Sequence, residues 1–264
     1  MEGERFVSDS PFTIVFGNEK GGTGKSTLAM HLIVFFLREG KKVASIDVDG
    51  RQGTLSRYLE KRRTYDRVIP LPQHKRVENQ DASAFQEALE SFRDAEVLVI
   101  DTPGNDTPVS RAAHAQADVL ITPLNDSFID LDVLVKIEKD GDQEKLVPST
   151  YADMVWEQRK KKIAASGRVP KWFVVKNRLG HLFTKNKAHV DDVLEKLSKR
   201  VGFTLLSGFG ERVIFRELFL RGITLLDLPY TKEGFTLSHA TARQELRTLG
   251  SVIAESLEAI KKAA

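Results

Sequence analysis

Residues Lys20-Gly-Gly-Thr-Gly-Lys-Ser26 decide the fold. They follow the apolar run Phe12-Thr-Ile-Val-Phe-Gly17 and open the helical pattern Ser26-Thr-Leu-Ala-Met-His-Leu-Ile-Val-Phe-Phe-Leu37. That is the strand–loop–helix setting of a phosphate-binding loop. Gly21, Gly22 and Gly24 let successive backbone N–H groups curl around phosphate oxygens, and the helix start behind them adds a favourable dipole. In such a loop the Lys25 ammonium reaches the β- and γ-phosphates, the Ser26 hydroxyl binds Mg²⁺, and Thr23 and Thr27 complete the cradle. The expected ligand is therefore a Mg²⁺-bound nucleoside triphosphate. Glu19 stands where the usual G-x-x-x-x-G-K-[ST] pattern begins with glycine, so a strict pattern search passes over this loop. A flexible glycine turn would share the composition, but not the position between strand and helix.

The rest of the chain frames that loop. With 264 residues it can bury a large core, and we expect a single domain over residues 1–264. It has no cysteine, which excludes disulfides, thiolate metal sites and iron–sulfur ligation. The N-terminal residues lack the apolar core of a signal peptide. No run reaches the roughly 18 apolar residues of a membrane span. A cytoplasmic protein is expected. The net charge of +3 says little about partners, so local charge clusters must carry that argument.

Strands and helices alternate, which predicts an α/β fold: a mainly parallel, twisted sheet with helices on both faces. Lys42 to Val48 reads as a buried strand and Gln52 to Arg62 as a basic helix. Val68-Ile-Pro-Leu-Pro72 reads as a connector broken by proline. Asp81 is placed to cap a helix over Ala82 to Phe92. Glu96 to Asp101 and Asp118 to Leu124 read as strands, and Glu138 to Lys145 as a polar surface loop. A helix over Pro148 to Ser166 precedes a strand Trp172 to Lys176, which ends at Asn177-Arg178. An amphipathic helix is expected over Lys187 to Val201, and a closing helix from about Ser238 to Ala263.

In a parallel sheet, sites form beyond the carboxyl ends of the strands. Four candidate groups fall there: the glycine-rich loop, Asp47-Val-Asp49, Asp101-Thr-Pro-Gly104 and Asn177-Arg178. Asp101 follows four apolar residues, which suits a carboxylate binding Mg²⁺ directly or through water. Gly104 could act as a hinge close to the γ-phosphate. Asp49 lies two residues beyond Asp47 and on the same face if the strand continues. Asp47 is the better placed of the two to support the Mg²⁺ shell. An ordinary strand-end turn at Asp101 and solvated loop carboxylates at Asp47 and Asp49 are the plain alternatives.

The form K-G-G-x-G-K-[ST] resembles the deviant Walker A loop of the ParA/MinD family of ATPases. That resemblance implies slow ATP hydrolysis by a P-loop fold. It also implies that Asp49 positions the attacking water and that Asn177 reads the adenine edge, with Arg178 beside it. Pro229 falls where that family lines the base pocket. Lys20, the extra lysine, would reach across a two-fold interface to a partner's phosphates, so that ATP holds a homodimer together. The family's usual D-x-D-P-Q reads Asp47-Val-Asp-Gly-Arg-Gln52 here, without the proline and with Arg51 added. Residues 15–26, 122–130, 212–219 and 222–228 resemble the branch of the family that positions the division plane. For that branch the resemblance implies non-specific DNA, a ParB-like protein and the tubulin-like FtsZ as partners, with enrichment on the nucleoid graded from the cell poles. A ParA-type partitioning ATPase is the alternative.

DNA binding has support from the residues themselves. Lys196, Lys199 and Arg200 share one predicted helix, and Arg212, Arg216 and Arg221 follow closely. Spacings of three to four residues put basic side chains on one helix face, where they would gain affinity by releasing counterions from a duplex. No aromatic interleaving or helix-turn-helix signature points to base readout. Near the C-terminus Ile253, Leu257 and Ile260 form an apolar helical stripe. Glu255 and Glu258 stand beside it, so it reads as core packing rather than a membrane tail.

Overall fold

The computed structural model describes residues 10–65, 69–125, 131–140, 143–177, 193–208, 210, 213–231 and 236–263. Seven strands form one sheet: β1 (Phe12–Phe16), β2 (Val43–Asp47), β3 (Gln73–Arg76), β4 (Val97–Asp101), β5 (Val119–Asn125), β8 (Lys171–Asn177) and β9 (Thr204–Ser207). A separate hairpin holds β6 (Val135–Asp140) and β7 (Gln143–Pro148). The large sheet runs in the order β3-β2-β4-β1-β5-β8-β9, and every pairing in it is parallel. The central strands β2 and β4 are buried along their whole length, as continuous apolar runs in a sheet covered on both faces should be.

Alternate residues of each strand enter different cores. Ile14, Phe16, Val97, Val99, Val119 and Ile121 face one core, beneath α1 (Lys25–Arg38), α2 (Thr54–Arg63), a helix we label α6 (Val213–Leu220) and the closing helix α7 (Leu237–Ala263). Val15, Leu98, Ile100 and Leu120 face the other, beneath α3 (Ala82–Ser91), α4 (Pro108–Gln116), α5 (Thr150–Ser166) and the segment holding Leu194, Leu197 and Val201. The stripe Ile253, Leu257 and Ile260 of α7 lies in the first core, worth roughly 1.5–3 kcal/mol per side chain. Gly250 lets α7 close on α1: a Cβ there would meet the Phe35 ring at 2.5 Å. Among the described residues no helix is long and apolar enough to cross a membrane.

One expectation needs correction, one strand was not foreseen, and one expected helix is described only in part. Residues 138–140 and 143–145 are not a loop. They belong to the antiparallel hairpin β6–β7, whose register runs from Val135–Pro148 to Asp140–Gln143. Its charge-rich strands carry too little apolar alternation to be read as strands. The polar edge strand β3, Gln-His-Lys-Arg, escaped for the same reason. The helix expected over Lys187 to Val201 is described only from residue 193. It is α-helical over 193–197 and widens into a π-helical turn at Ser198–Gly202.

Candidate functional site

The sheet register assembles the site. Phe16, the last residue of β1, pairs with Asp101, which in turn pairs with Asp47. The glycine-rich loop and both strand-end carboxylates therefore leave the sheet side by side. On the other flank Asn125 pairs with Asn177.

Helix starts distinguish this edge. Helices α3, α4 and α5 begin with side-chain caps from Asp81, Thr107 and Ser149. By contrast α1 and α2 begin after Gly24 and Gly53, both left-handed, with no side-chain cap. Their first N–H groups are the donors an anion needs. Gly22 and Gly24 have φ of 77° and 94°, a region that a side chain would make costly.

The loop is braced from both sides. Asn18 donates to the Pro123 carbonyl and accepts from the Lys20 N–H, each at 2.7 Å. Asn177 Nδ2 donates to the Thr23 carbonyl at 2.9 Å. A Cβ on Gly24 would collide with that nitrogen. Lys25 is buried, and its Nζ donates to the Lys20 carbonyl at 2.9 Å. Burial lowers the Lys25 pKa, while Asp101 and Asp49 act to raise it. Gly104 abuts the loop, since a Cβ there would meet Gly21 N at 2.9 Å.

The carboxylates differ sharply. Asp47 is fully buried; its Oδ1 accepts from Asp49 N at 3.1 Å, and its Oδ2 from Ser56 N and Oγ at 2.9 Å. The one Ser56 hydroxyl proton goes to Asp47, so His74 Nε2, 2.9 Å away, is the protonated ring nitrogen. Its Nδ1 lies 2.9 Å from the Ser45 hydroxyl, which also reaches the Gln73 carbonyl at 3.3 Å. With three of its lone pairs used in this way, Asp47 suits support of a metal shell rather than direct ligation. Asp101 is 1% exposed, and neither of its oxygens makes a hydrogen bond. Burial pushes its pKa up to about 8. Asp47 adds to that rise, and the nearby Ser26 hydroxyl and Lys25 oppose it. An orphaned buried carboxyl beside a hydroxyl and an ammonium fits a dication. Among the described residues no cluster of three or more His, Cys, Asp or Glu could hold a metal by itself. The donor set therefore fits an ion that takes its remaining ligands from phosphate oxygens and water.

A cleft of about 840 Å³ opens over these groups. It is lined by Gly21, Gly22, residues Gly24 to Thr27, Val48 to Gln52, Asn79, Gln80 and Thr102 to Asn105. Asp49 faces it from a loop in which its Oδ1 accepts from Gln52 N. The wall formed by Asn79 and Gln80 was not legible beforehand, because it follows the unrecognised edge strand β3.

Other candidates stand apart. Pro229, expected beside the base, is not among the residues that line the cleft. It lies between Asp227, which binds Arg38, and Tyr230, which stacks under Arg38. Arg38 is the last residue of α1, at the opposite end of that helix from Lys25. Arg178 and Arg212 lie outside the described residues. The remaining basic residues do not form one face. Lys196, Lys199 and Arg200 are exposed on the segment packed beneath one face of the sheet. Arg216 and Arg221 are exposed on and after α6, beneath the other.

Comparison with known proteins supports this architecture. The family model described as ATPase MipZ matches residues 12–256. No curated protein matches the sequence. Solved structures share the fold at low identity. The ATP complex of a point variant of McdA from Cyanothece is 17% identical, covers 94% of this chain and 96% of its own, and has a TM-score of 0.62. The septum site-determining protein MinD of Pyrococcus horikoshii OT3, complexed with Mg-ADP, is 18% identical with 92% and 96% covered and a TM-score of 0.60. A putative plasmid partition protein of Borrelia burgdorferi B31, bound to AMPPNP, is 14% identical with 90% and 97% covered and a TM-score of 0.54.

Proposed function

From the premise that this chain belongs to the MipZ family of ATPases, we propose that it is an ATP-dependent dimerising switch that positions the division plane. The observation that carries this reading is the double-lysine loop. Lys25 is turned inward, onto the Lys20 carbonyl and toward Asp101, and accounts for the cation a P-loop needs within its own subunit. Lys20 then serves the phosphates of a second subunit. Ser26 and Asp101 would hold Mg²⁺, with Asp47 as support. When bound, Mg²⁺ neutralises charge on the phosphate oxygens. Asp49 orients the attacking water, and its loop position at the cleft wall suits that task. Thr23 and Thr27 belong to the same cradle. Asn177 is the proposed contact to the adenine edge, with one of its amide N–H groups already given to the P-loop.

The output follows from the dimer. Non-specific DNA, a ParB-like protein and FtsZ are the proposed partners, with slow hydrolysis timing release and nucleoid binding setting the cellular gradient. The test adds purified protein and ATP to polymerising FtsZ. Inhibition that requires ATP and is lost in Lys20→Ala supports the reading. Unchanged polymerisation alongside ATP-dependent DNA binding would point instead to a ParA-type partitioning ATPase.

A further inference from the structure

The loop that carries Asp49 has little to hold it by itself. Between β2 and α2 it runs Val48-Asp-Gly-Arg-Gln-Gly53, with two glycines and no proline, so the unrestrained loop is entropically costly to fix. Its own hydrogen bonds are short-range: Asp49 N to Asp47, Gln52 N to Asp49 and Gly53 N to the Asp49 carbonyl. At its root Val48 N donates to the Asp101 carbonyl at 3.0 Å, and beyond Asp49 the outside anchor comes from β3. Arg76 is the register partner of Asp47 and so stands beside the root of the loop. Its Nη2 donates to the Gly50 carbonyl, and its guanidinium covers Gly53, where a Cβ would meet Arg76 Cζ at 2.8 Å.

The backbone after Arg76 closes the other side. Val77 N donates to the Asp47 carbonyl at 2.9 Å. A Cβ on Gly50 would meet the Val77 carbonyl oxygen at 2.6 Å and Glu78 Cα at 2.8 Å. The turn then passes through Asn79 and Gln80, both left-handed at φ 53°. Two consecutive non-glycine residues there cost energy, which the surrounding contacts must offset. Both residues line the cleft that Asp49 faces. The Asp49 loop thus sits between a guanidinium and a tightly wound turn.

We propose that Arg76 is a positioning residue for hydrolysis, fixing the loop that aims Asp49 without itself touching the nucleotide. The inference rests on the reading of Asp49 as the water-orienting carboxylate. Arginine suits the task because its planar fork can bond a carbonyl and cover a glycine at once, whereas lysine supplies only a point charge. A displacement of about 1 Å in such a group can cost on the order of 10²-fold in rate.

The test compares Arg76→Ala, Arg76→Lys, Gly50→Ala and Asp49→Ala in the full chain, with calorimetric ATP affinity, thermal melting and steady-state ATPase. Arg76→Ala should lose at least roughly 10-fold in kcat, with ATP affinity and melting temperature close to the parent. Arg76→Lys should recover part of that loss. Gly50→Ala, which pushes the loop from the opposite side, should show the same kcat-selective defect. An unchanged kcat in Arg76→Ala beside an inactive Asp49→Ala would overturn the positioning role alone. So would a kcat loss matched by equal loss of ATP affinity or by melting. Normal turnover in Asp49→Ala would instead sink the reading of Asp49, and the proposal with it.

Discussion

Asp101 and Asp227 are both buried carboxylates at the rim of one sheet, yet they are treated in opposite ways. At the edge away from the cleft Asp227 is saturated. Arg62 meets it with two nitrogens at 2.7 and 3.0 Å, Arg38 at 2.6 Å, and Thr224 through its N–H and hydroxyl. Burial alone would raise its pKa, but these partners, Arg62 first, hold it below the ordinary value. Asp118 at the same edge is likewise closed by Lys162 and Arg168. At the cleft edge Asp101 has no hydrogen bond and an elevated pKa. The ion pairs tie α1 and α2 to the segment before α7. Burial favours the protonated form of the orphaned carboxyl, and a cation there would favour its charged form instead.

The largest expected effect breaks the closed end. Asp227→Ala strands Arg62, whose side chain is 0% exposed, and should cost about 3–5 kcal/mol in denaturant unfolding. ATP affinity of the folded protein should persist, because the site is a helix length away. The pH dependence has a definite sign. A depressed pKa makes Asp227 stabilising above its unfolded value near 4 and lost as pH falls through the lower folded value.

The open end should behave in reverse. Asp101→Asn should abolish ATPase activity while leaving nucleotide-free stability equal or higher. Here the folded pKa is raised, so the wild type binds a proton that the unfolded chain does not. Its stability should fall as pH rises from about 4 to about 8. Asp101→Asn should lack that slope in melts run with chelator, and an identical slope in both proteins would refute the contrast.

The smallest effect concerns the surface. Because the basic residues occupy opposite faces of the sheet, a duplex lying on one face engages one cluster. Changing Lys199 and Arg200 to Ala should flatten the salt dependence of DNA binding by about 1.8 log units per log unit of salt, roughly 0.9 per phosphate contact. Changing Arg216 and Arg221 should move it less. Equal changes would argue for DNA that wraps both faces.

The sequence made the central strands, the P-loop and the strand-end aspartates legible because each is marked locally, by an apolar run or a glycine pattern. It also placed the Asp81 cap and the core role of the C-terminal stripe. Edge strand β3 and the β6–β7 hairpin escaped because polar strands lack that mark, and Arg76 and the turn at Asn79 went with them. The surroundings of Pro229 were not legible because the segment from Ile223 to Tyr230 is held by Asp227 and its arginines, a long-range pairing with no local signature. The basic residues look like one cluster in sequence, since only the fold reveals that β9 separates two helical segments on opposite faces.

One measurement tests the switch most directly: analytical ultracentrifugation of Asp49→Ala with Mg²⁺-ATP and with Mg²⁺-ADP. The account predicts a dimer in ATP, a monomer in ADP, and a monomer in both when Lys20→Ala is added. A monomer that has bound ATP, shown by calorimetry on the same sample, would contradict it.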